Sequence, residues 1–281
     1  MANVNVKAYF NLARPINALA GCLAVILSAY VVGPSSWWPV FFATLTVLLI
    51  TVSTNAWNDY LDIEIDKINK PDRPLPAGQI NPCKALIFSS VGTLLSLVIA
   101  AFINFPAFLI AVGANLILYL YSWKLKCTIL FGNAAVAGIV ALCFIFGGVA
   151  AGRIQPVIML SITVFLCIMG REILKTMADY QGDRQQNCRT IATGWGKNKA
   201  RCFMLFFLLS GSMAMLAIFF TNQYHPVYLY LVLFIKFPLY FFIAISSKSE
   251  SPSNELEQKS LLLKYGFFVW FIAVALGAGL A

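Results

Sequence analysis

The chain predicts an all-α polytopic membrane protein: nine transmembrane helices in a bundle, capped on one face by charged loops and short helices. Three observations carry this prediction. The 281 residues are 60% hydrophobic and only 11% charged, against about 25% charged in a soluble domain. The apolar residues gather in nine runs with clear breaks, most of them close to the ~20 residues that cross a bilayer core as a helix. The charged residues sort onto one face when the connections between runs are numbered alternately. Spanning β-strands would show short alternating segments instead, and none occur.

The runs lie at residues 16–32, 37–57, 85–102, 106–122, 130–151, 156–170, 202–221, 227–245 and 262–280. The first is bracketed by Arg14-Pro15 and Gly33-Pro34, and no A-x-A-like cleavage site follows, so it reads as a span and not a signal peptide. The second runs into an acidic stretch, Asn58 to Asp66, and then a long basic loop. The third and fourth are joined by only residues 103–105. The connection after the fifth carries Arg153. The sixth runs into Arg171-Glu172 and a second acidic stretch, Asp179 to Asp183, again followed by a long basic loop. The eighth contains Lys236, which either snorkels or reaches a buried anion. A Ser-rich stretch with Glu250, Glu255 and Glu257 precedes the ninth and reads as solvated mixed charge.

Every Lys and Arg except Arg153 and Lys236 falls on one face, and so do all 11 acidic residues. The positive-inside rule makes that face cytoplasmic, with the N-terminus and both acidic motifs. The net charge of +9 follows from this bias and calls for no nucleic acid. Residues 1–281 read as a single membrane domain, embedded among membrane lipids, with its working parts on one face. The repeated order of span, acidic end and basic loop is a faint internal repeat. Seven cysteines without a C-x-x-C pair read as small apolar fillers and free thiols. A single histidine, His225, argues against zinc or haem and leaves oxygen ligands for any metal.

Carboxylates beside a bilayer are costly unless they bind something. On one continuous helix Asn58, Asp62 and Asp66 recur every four residues and drift only about 40° per step, so they share a face. Glu172, Asp179 and Asp183 also fall within about 40° of one another. Mg²⁺ takes one or two carboxylates and completes its shell with phosphate and water. Two such stripes across a diphosphate, flanked by Arg73, Lys124, Lys126, Arg184 and Arg189, balance charge.

Asn58-Asp59-x-x-Asp62-x-x-x-Asp66, followed by Lys70-Pro71-Asp72-Arg73-Pro74-Leu75-Pro76-Ala77-Gly78, resembles the first signature of the UbiA superfamily of intramembrane prenyltransferases. Asp179-x-x-x-Asp183 with Arg189-Thr190 is similar to its second signature. Tyr121-Ser122-Trp123-Lys124-Leu125-Lys126 with Gly132-Asn133 is similar to its middle stretch. The resemblance implies that Asn58, Asp62, Asp66, Asp179 and Asp183 hold Mg²⁺, with the four aspartates catalytic. It implies substrate contacts from Asn55, Asn58, Arg73, Tyr121, Lys124, Arg171, Glu172, Lys175 and Arg189. It also implies a polyprenyl diphosphate donor that ionises to an allylic cation, with its tail in an apolar tunnel, and capture of that cation by a lipid or aromatic acceptor.

Glu64 to Pro71 and Arg171 to Lys175 look most like the branch that makes digeranylgeranylglyceryl phosphate, in which the acceptor is a glycerol-phosphate hydroxyl. That branch carries further acids where this chain has Thr176, Ala178 and Gln181. Gly182-Asp183-Arg184-Gln185 is also similar to the branch that prenylates chlorophyllide. Aromatic or chlorophyllide-type acceptors, and cyclisation of the donor itself, therefore stand beside a geranylgeranyl transfer to lipid. A secondary transporter would place its acids near mid-span and along both halves of a path, whereas these cluster at span ends on one face.

Overall fold

The computed structural model describes residues 5–221 and 223–281, apart from the side chains of residues 68 and 69. Its helices are α1 (Val6–Ala13), α2 (Pro15–Val32), α3 (Trp38–Leu61), α4 (Ile63–Asn69), α5 (Pro82–Ala101), α6 (Phe105–Trp123), α7 (Phe131–Ala150), α8 (Ile158–Ala178), α9 (Tyr180–Gln185), α10 (Ile191–Trp195), α11 (Lys197–Phe219), α12 (Pro226–Leu231), α13 (Phe237–Ser246) and α14 (Ser253–Gly279). Among the described residues nine helical segments are long and apolar enough to cross a membrane. The eighth joins α12 and α13 through a π-helical turn, Val232–Lys236.

Prolines open many of these helices, because a first-turn N–H has no intrahelical partner to lose. Asn81 and Asn104 cap α5 and α6 through their side chains. Several helices outrun the apolar runs that mark them. α8 continues to Ala178, and α14 begins at Ser253, so Glu255 and Glu257 stand on its first turns and Glu255 pairs with Lys259. Hydropathy marks the apolar slab, while backbone hydrogen bonding carries a helix past it into the polar zone.

The two acidic motifs do not lie on uninterrupted helices. α3 ends one residue before Asp62 and α8 one residue before Asp179, and each of these aspartates takes the N-cap position of the short helix that follows. Asp62 has φ −95°, ψ 8° and Asp179 has φ −81°, ψ 3°. Both sit in the sparsely populated bridge region common at active sites. The ladder survives each bend, with Asp66 N–H to Asp62 O at 2.7 Å and Asp183 N–H to Asp179 O at 2.9 Å. The same kink thus recurs at both halves of the faint repeat.

The largest core joins α2, α7, α8 and α10 to α14. Trp270 and Tyr228 are fully buried in it; the Tyr228 hydroxyl donates to Met215 O at 2.9 Å. A smaller core packs Leu75 and Ile80 of the loop after α4 against Ala8 and Leu12 of α1. That loop is folded down onto the bundle, which keeps Arg73 near the motif preceding it. Lys236 is buried and donates to Gly266 O at 3.0 Å, with the rings of Tyr240 and Phe267 beside it. Its burial shows that it does not snorkel, and among the described residues no carboxylate pairs with it.

The cysteines are not all free. Cys127 and Cys188 form a disulfide across 61 residues of sequence. A pairing between two distant loops leaves no trace in cysteine spacing.

Candidate active site

Asn58, Asp62 and Asp66 from the α3–α4 kink and Glu172, Asp179 and Asp183 from the α8–α9 kink line one cavity of about 550 Å³. Arg73, Tyr121 and Lys175 line it as well, so nine of the expected residues converge. Four do not reach it. Asn55 donates to Ala13 O at 3.1 Å and ties α3 to the end of α1. Lys124 lies over the Trp123 ring, 4.2 Å from its centroid. The 3-10 turn Leu125–Cys127 turns the chain so that Lys126, not Lys124, faces the cavity. Arg171 is spent on Glu172 at 2.5 Å and on Ser260 O at 3.2 Å. Arg189 is exposed outside the cavity.

Two residues outside the expected set, Asp59 and Arg14, complete the first motif together with Lys126, one of the expected flanking bases. Asp59 is buried and pairs with both Arg14 and Arg73, the latter at 3.2 Å. Arg14 reaches it from a left-handed backbone, φ 49°, ψ 67°. That conformation costs a non-glycine residue about 1–2 kcal/mol, and the ion pair offsets it. Lys126 pairs with Asp62, and Arg73 with Asp66 at 2.5 Å. The Asn58 amide donates to Asp62 at 3.1 Å. Asp59 stands one position after Asn58 and so off the shared stripe, and this offset is the sequence signal that separates it from the cavity-facing acids.

Gly132 explains how Lys126 arrives. A Cβ there would lie 2.6 Å from Leu125 O and 3.2 Å from Lys126 Cα. Only a glycine lets the 125–127 turn lie directly on α7, and the disulfide then fastens that turn to Cys188.

The second motif is electrostatically different. Among the described residues neither Asp179 nor Asp183 has an ion-pair partner. Burial raises the pKa of Asp179, against the pull of Lys175 and Lys70. Burial, then the neighbouring Asp179, pushes Asp183 up to about 6, with a Thr190 hydrogen bond opposing. Two half-buried carboxylates four residues apart, neither in an ion pair, favour a cation beside them. The donor set is all oxygen, and among the described residues no three acidic, His or Cys side chains gather closely enough to cage an ion alone. Such a set suits a hard divalent cation that draws its other ligands from water and phosphate. Deeper in the bundle, about 12 Å along α3 from Asn58, an apolar cavity of about 40 Å³ lies among Ile50, Ala114, Leu142 and Phe146.

A nine-span bundle with acidic kinks and bases converging at one end defines a membrane-embedded enzyme for anionic, apolar-tailed substrates. Residues 18–272 match the UbiA prenyltransferase family. The chain belongs to that family and is a prenyltransferase. It is 30% identical over 274 residues to the digeranylgeranylglyceryl phosphate synthase of Methanothermobacter thermautotrophicus, covering 98% of this chain and 97% of the relative. A solved structure described as giving insights into digeranylgeranylglyceryl phosphate synthase in membranes superposes with a TM-score of 0.81 at 30% identity, covering 97% of this chain and 98% of the other. A UbiA homolog from Archaeoglobus fulgidus bound to GPP and Mg²⁺ shares the fold, with a TM-score of 0.74 at 22% identity, covering 94% of this chain and 99% of the other.

Proposed function

We propose that the protein transfers a polyprenyl group, geranylgeranyl by preference, from its diphosphate to the hydroxyl of a prenylglycerol phosphate. The observation that carries this reading is the meeting of two kinked acidic motifs with Arg73 and Lys126 in one cavity. The digeranylgeranylglyceryl phosphate synthases among the relatives support the acceptor class. Asn58, Asp62, Asp66, Asp179 and Asp183 are the residues that would hold Mg²⁺. The bound ions supply Lewis acidity toward the charge that grows on the leaving diphosphate.

Lys126 and Arg73 neutralise the first motif and line the cavity where a diphosphate would be held. They stabilise charge that develops as the allylic C–O bond breaks. The acceptor oxygen then bonds to the allylic carbon and loses its proton, giving an ether. Apolar walls keep water from the cation, and the cavity beside Ile50 and Phe146 would take part of the tail. The basic bias of this face supports a cytoplasmic orientation for the site and the N-terminus.

One observation favours a different acceptor. Thr176, Ala178 and Gln181 all line the cavity, so the departures from the branch pattern lie where an acceptor would bind. Purified protein incubated with Mg²⁺ and geranylgeranyl diphosphate, with and without glyceryl and aromatic acceptors, separates these readings by product mass. Alkylated glyceryl phosphate is expected. An alkylated aromatic would move the acceptor, and hydrocarbon formed without acceptor would indicate cyclisation. No diphosphate release under any condition would refute prenyl transfer.

A further inference from the structure

The Cys127–Cys188 bond joins the two halves of the site. Both cysteines line the cavity, and Cys127 is only half-buried. Cys127 ends the 3-10 turn that carries Lys126, and Lys126 pairs with Asp62 of the first motif. Cys188 follows the second motif, and its N–H donates to Asp183 O at 2.8 Å. Its carbonyl accepts from the Thr193 hydroxyl of α10 at 2.6 Å. One covalent strap therefore runs from the base on Asp62 to the backbone of Asp183.

Little else that is polar holds the turn at a distance. Its own hydrogen bonds are local: Thr128 donates to Leu125 O through its N–H at 3.0 Å and its hydroxyl at 2.6 Å. Among the described residues its long-range polar ties are the link to Cys188 and the Lys126–Asp62 pair. Only three described non-glycine residues have a left-handed φ, and two of them flank this bond. Leu130, at φ 64° and ψ −35°, follows the turn, and Asn187, at φ 53°, directly precedes Cys188. A left-handed leucine is costly and persists only where its surroundings hold it. Opening the bond removes that hold beside both motifs at once. The basic bias supports a cytoplasmic position for this face, and a disulfide there is more often redox-active than structural.

We propose that the Cys127–Cys188 bond is a redox gate on donor binding. Closed, it holds Lys126 and the second motif at their working separation; opened by a dithiol, it frees the turn, and the site loses its grip on the diphosphate. A thiolate of the reductant attacks Cys127 Sγ, the more exposed sulfur, and Cys188 leaves as the thiolate. The second thiolate of the reductant then closes on the first and displaces Cys127. The protein gains two electrons and two protons as a pair of thiols, and the dithiol becomes a disulfide. The gate rests on the donor clamp proposed above and adds a control to it.

The test is steady-state diphosphate release by the full chain in lipid nanodiscs, with Mg²⁺, geranylgeranyl diphosphate and a glyceryl acceptor. Dithiothreitol opens the bond, oxidised glutathione recloses it, and the mass after iodoacetamide labelling of a denatured sample reports its state. Reduction is expected to raise donor KM roughly 10- to 100-fold, as for the loss of one charge-assisted hydrogen bond. The far-UV circular dichroism should stay unchanged, and reoxidation should restore KM. Cys127→Ser with Cys188→Ser should show the raised KM from the start and ignore dithiothreitol. Cys83→Ser with Cys202→Ser, which removes the exposed free thiols, should respond like the wild type. The gate is overturned if donor KM is the same with the bond open and closed, if the bridge variant still responds to dithiothreitol, or if oxidised glutathione never closes the bond. In each of those cases prenyl transfer still stands. No diphosphate release in either redox state refutes prenyl transfer, and the gate falls with it.

Discussion

Gly132→Ala is a one-carbon perturbation whose effect can be worked from geometry. The new Cβ would meet Leu125 O at 2.6 Å, where an ordinary C···O approach is about 3.3 Å. The overlap of about 0.7 Å falls on backbone, so it cannot be relieved by a side-chain rotation. The turn must lift, yet Cys127 is tied to Cys188, so Lys126 is displaced from Asp62 without the loop swinging clear. A misplacement near 1 Å at a reacting site can cost about 100-fold in rate. Overpacking of this kind destabilises by about 1–3 kcal/mol. Diphosphate release is therefore expected to fall roughly 10- to 100-fold, with a lower midpoint of thermal unfolding in detergent. Gly138, on the same helix with nothing within 4 Å, is the control. Gly138→Ala should be neutral or gain up to about 1 kcal/mol from helix propensity. Full activity in Gly132→Ala, or equal damage in Gly138→Ala, would refute the reasoning.

Three further outcomes are expected. Asp59→Asn leaves Arg14 without its partner and should cost about 3 kcal/mol or more; an unchanged unfolding curve would contradict the anchoring role. Iodoacetamide should label five cysteines in denatured, unreduced protein and seven after reduction, by intact mass; seven without reductant would disprove the disulfide. Chelation with EDTA should stop diphosphate release while the far-UV circular dichroism stays unchanged; persistent turnover would rule out the divalent cation.

The span count was readable because charge is so costly in a bilayer that every Asp, Glu, Lys and Arg but Lys236 was driven toward an end. The convergence of the two acidic motifs was readable for a related reason, since isolated acids at both span ends lack neutralising neighbours in sequence. Finer geometry was not. Lys124 and Lys126 are equivalent in composition, and only the 3-10 turn decides that Lys126 enters the cavity. Asn55 looked like a ligand because it lies one turn from Asn58, but its amide is taken by a carbonyl of α1. Arg14 and Asp59 were passed over because their pairing joins positions 45 apart. The kinks at Asp62 and Asp179 follow from the environment of the cap, which helical periodicity does not register.

The Cys127–Cys188 bond also constrains how the chain can be made. The segment between its ends, which are 61 positions apart, contains α7 and α8, an even number of crossings. Its two sulfurs therefore share a side only when both spans have been inserted and the second has returned. At about 5–20 residues per second of synthesis, Cys127 waits several seconds for its partner. Closing the bond registers a finished hairpin and shuts α7 and α8 into a covalent ring. α11, which packs along α8, and the helices after it thus rest on a covalently closed frame.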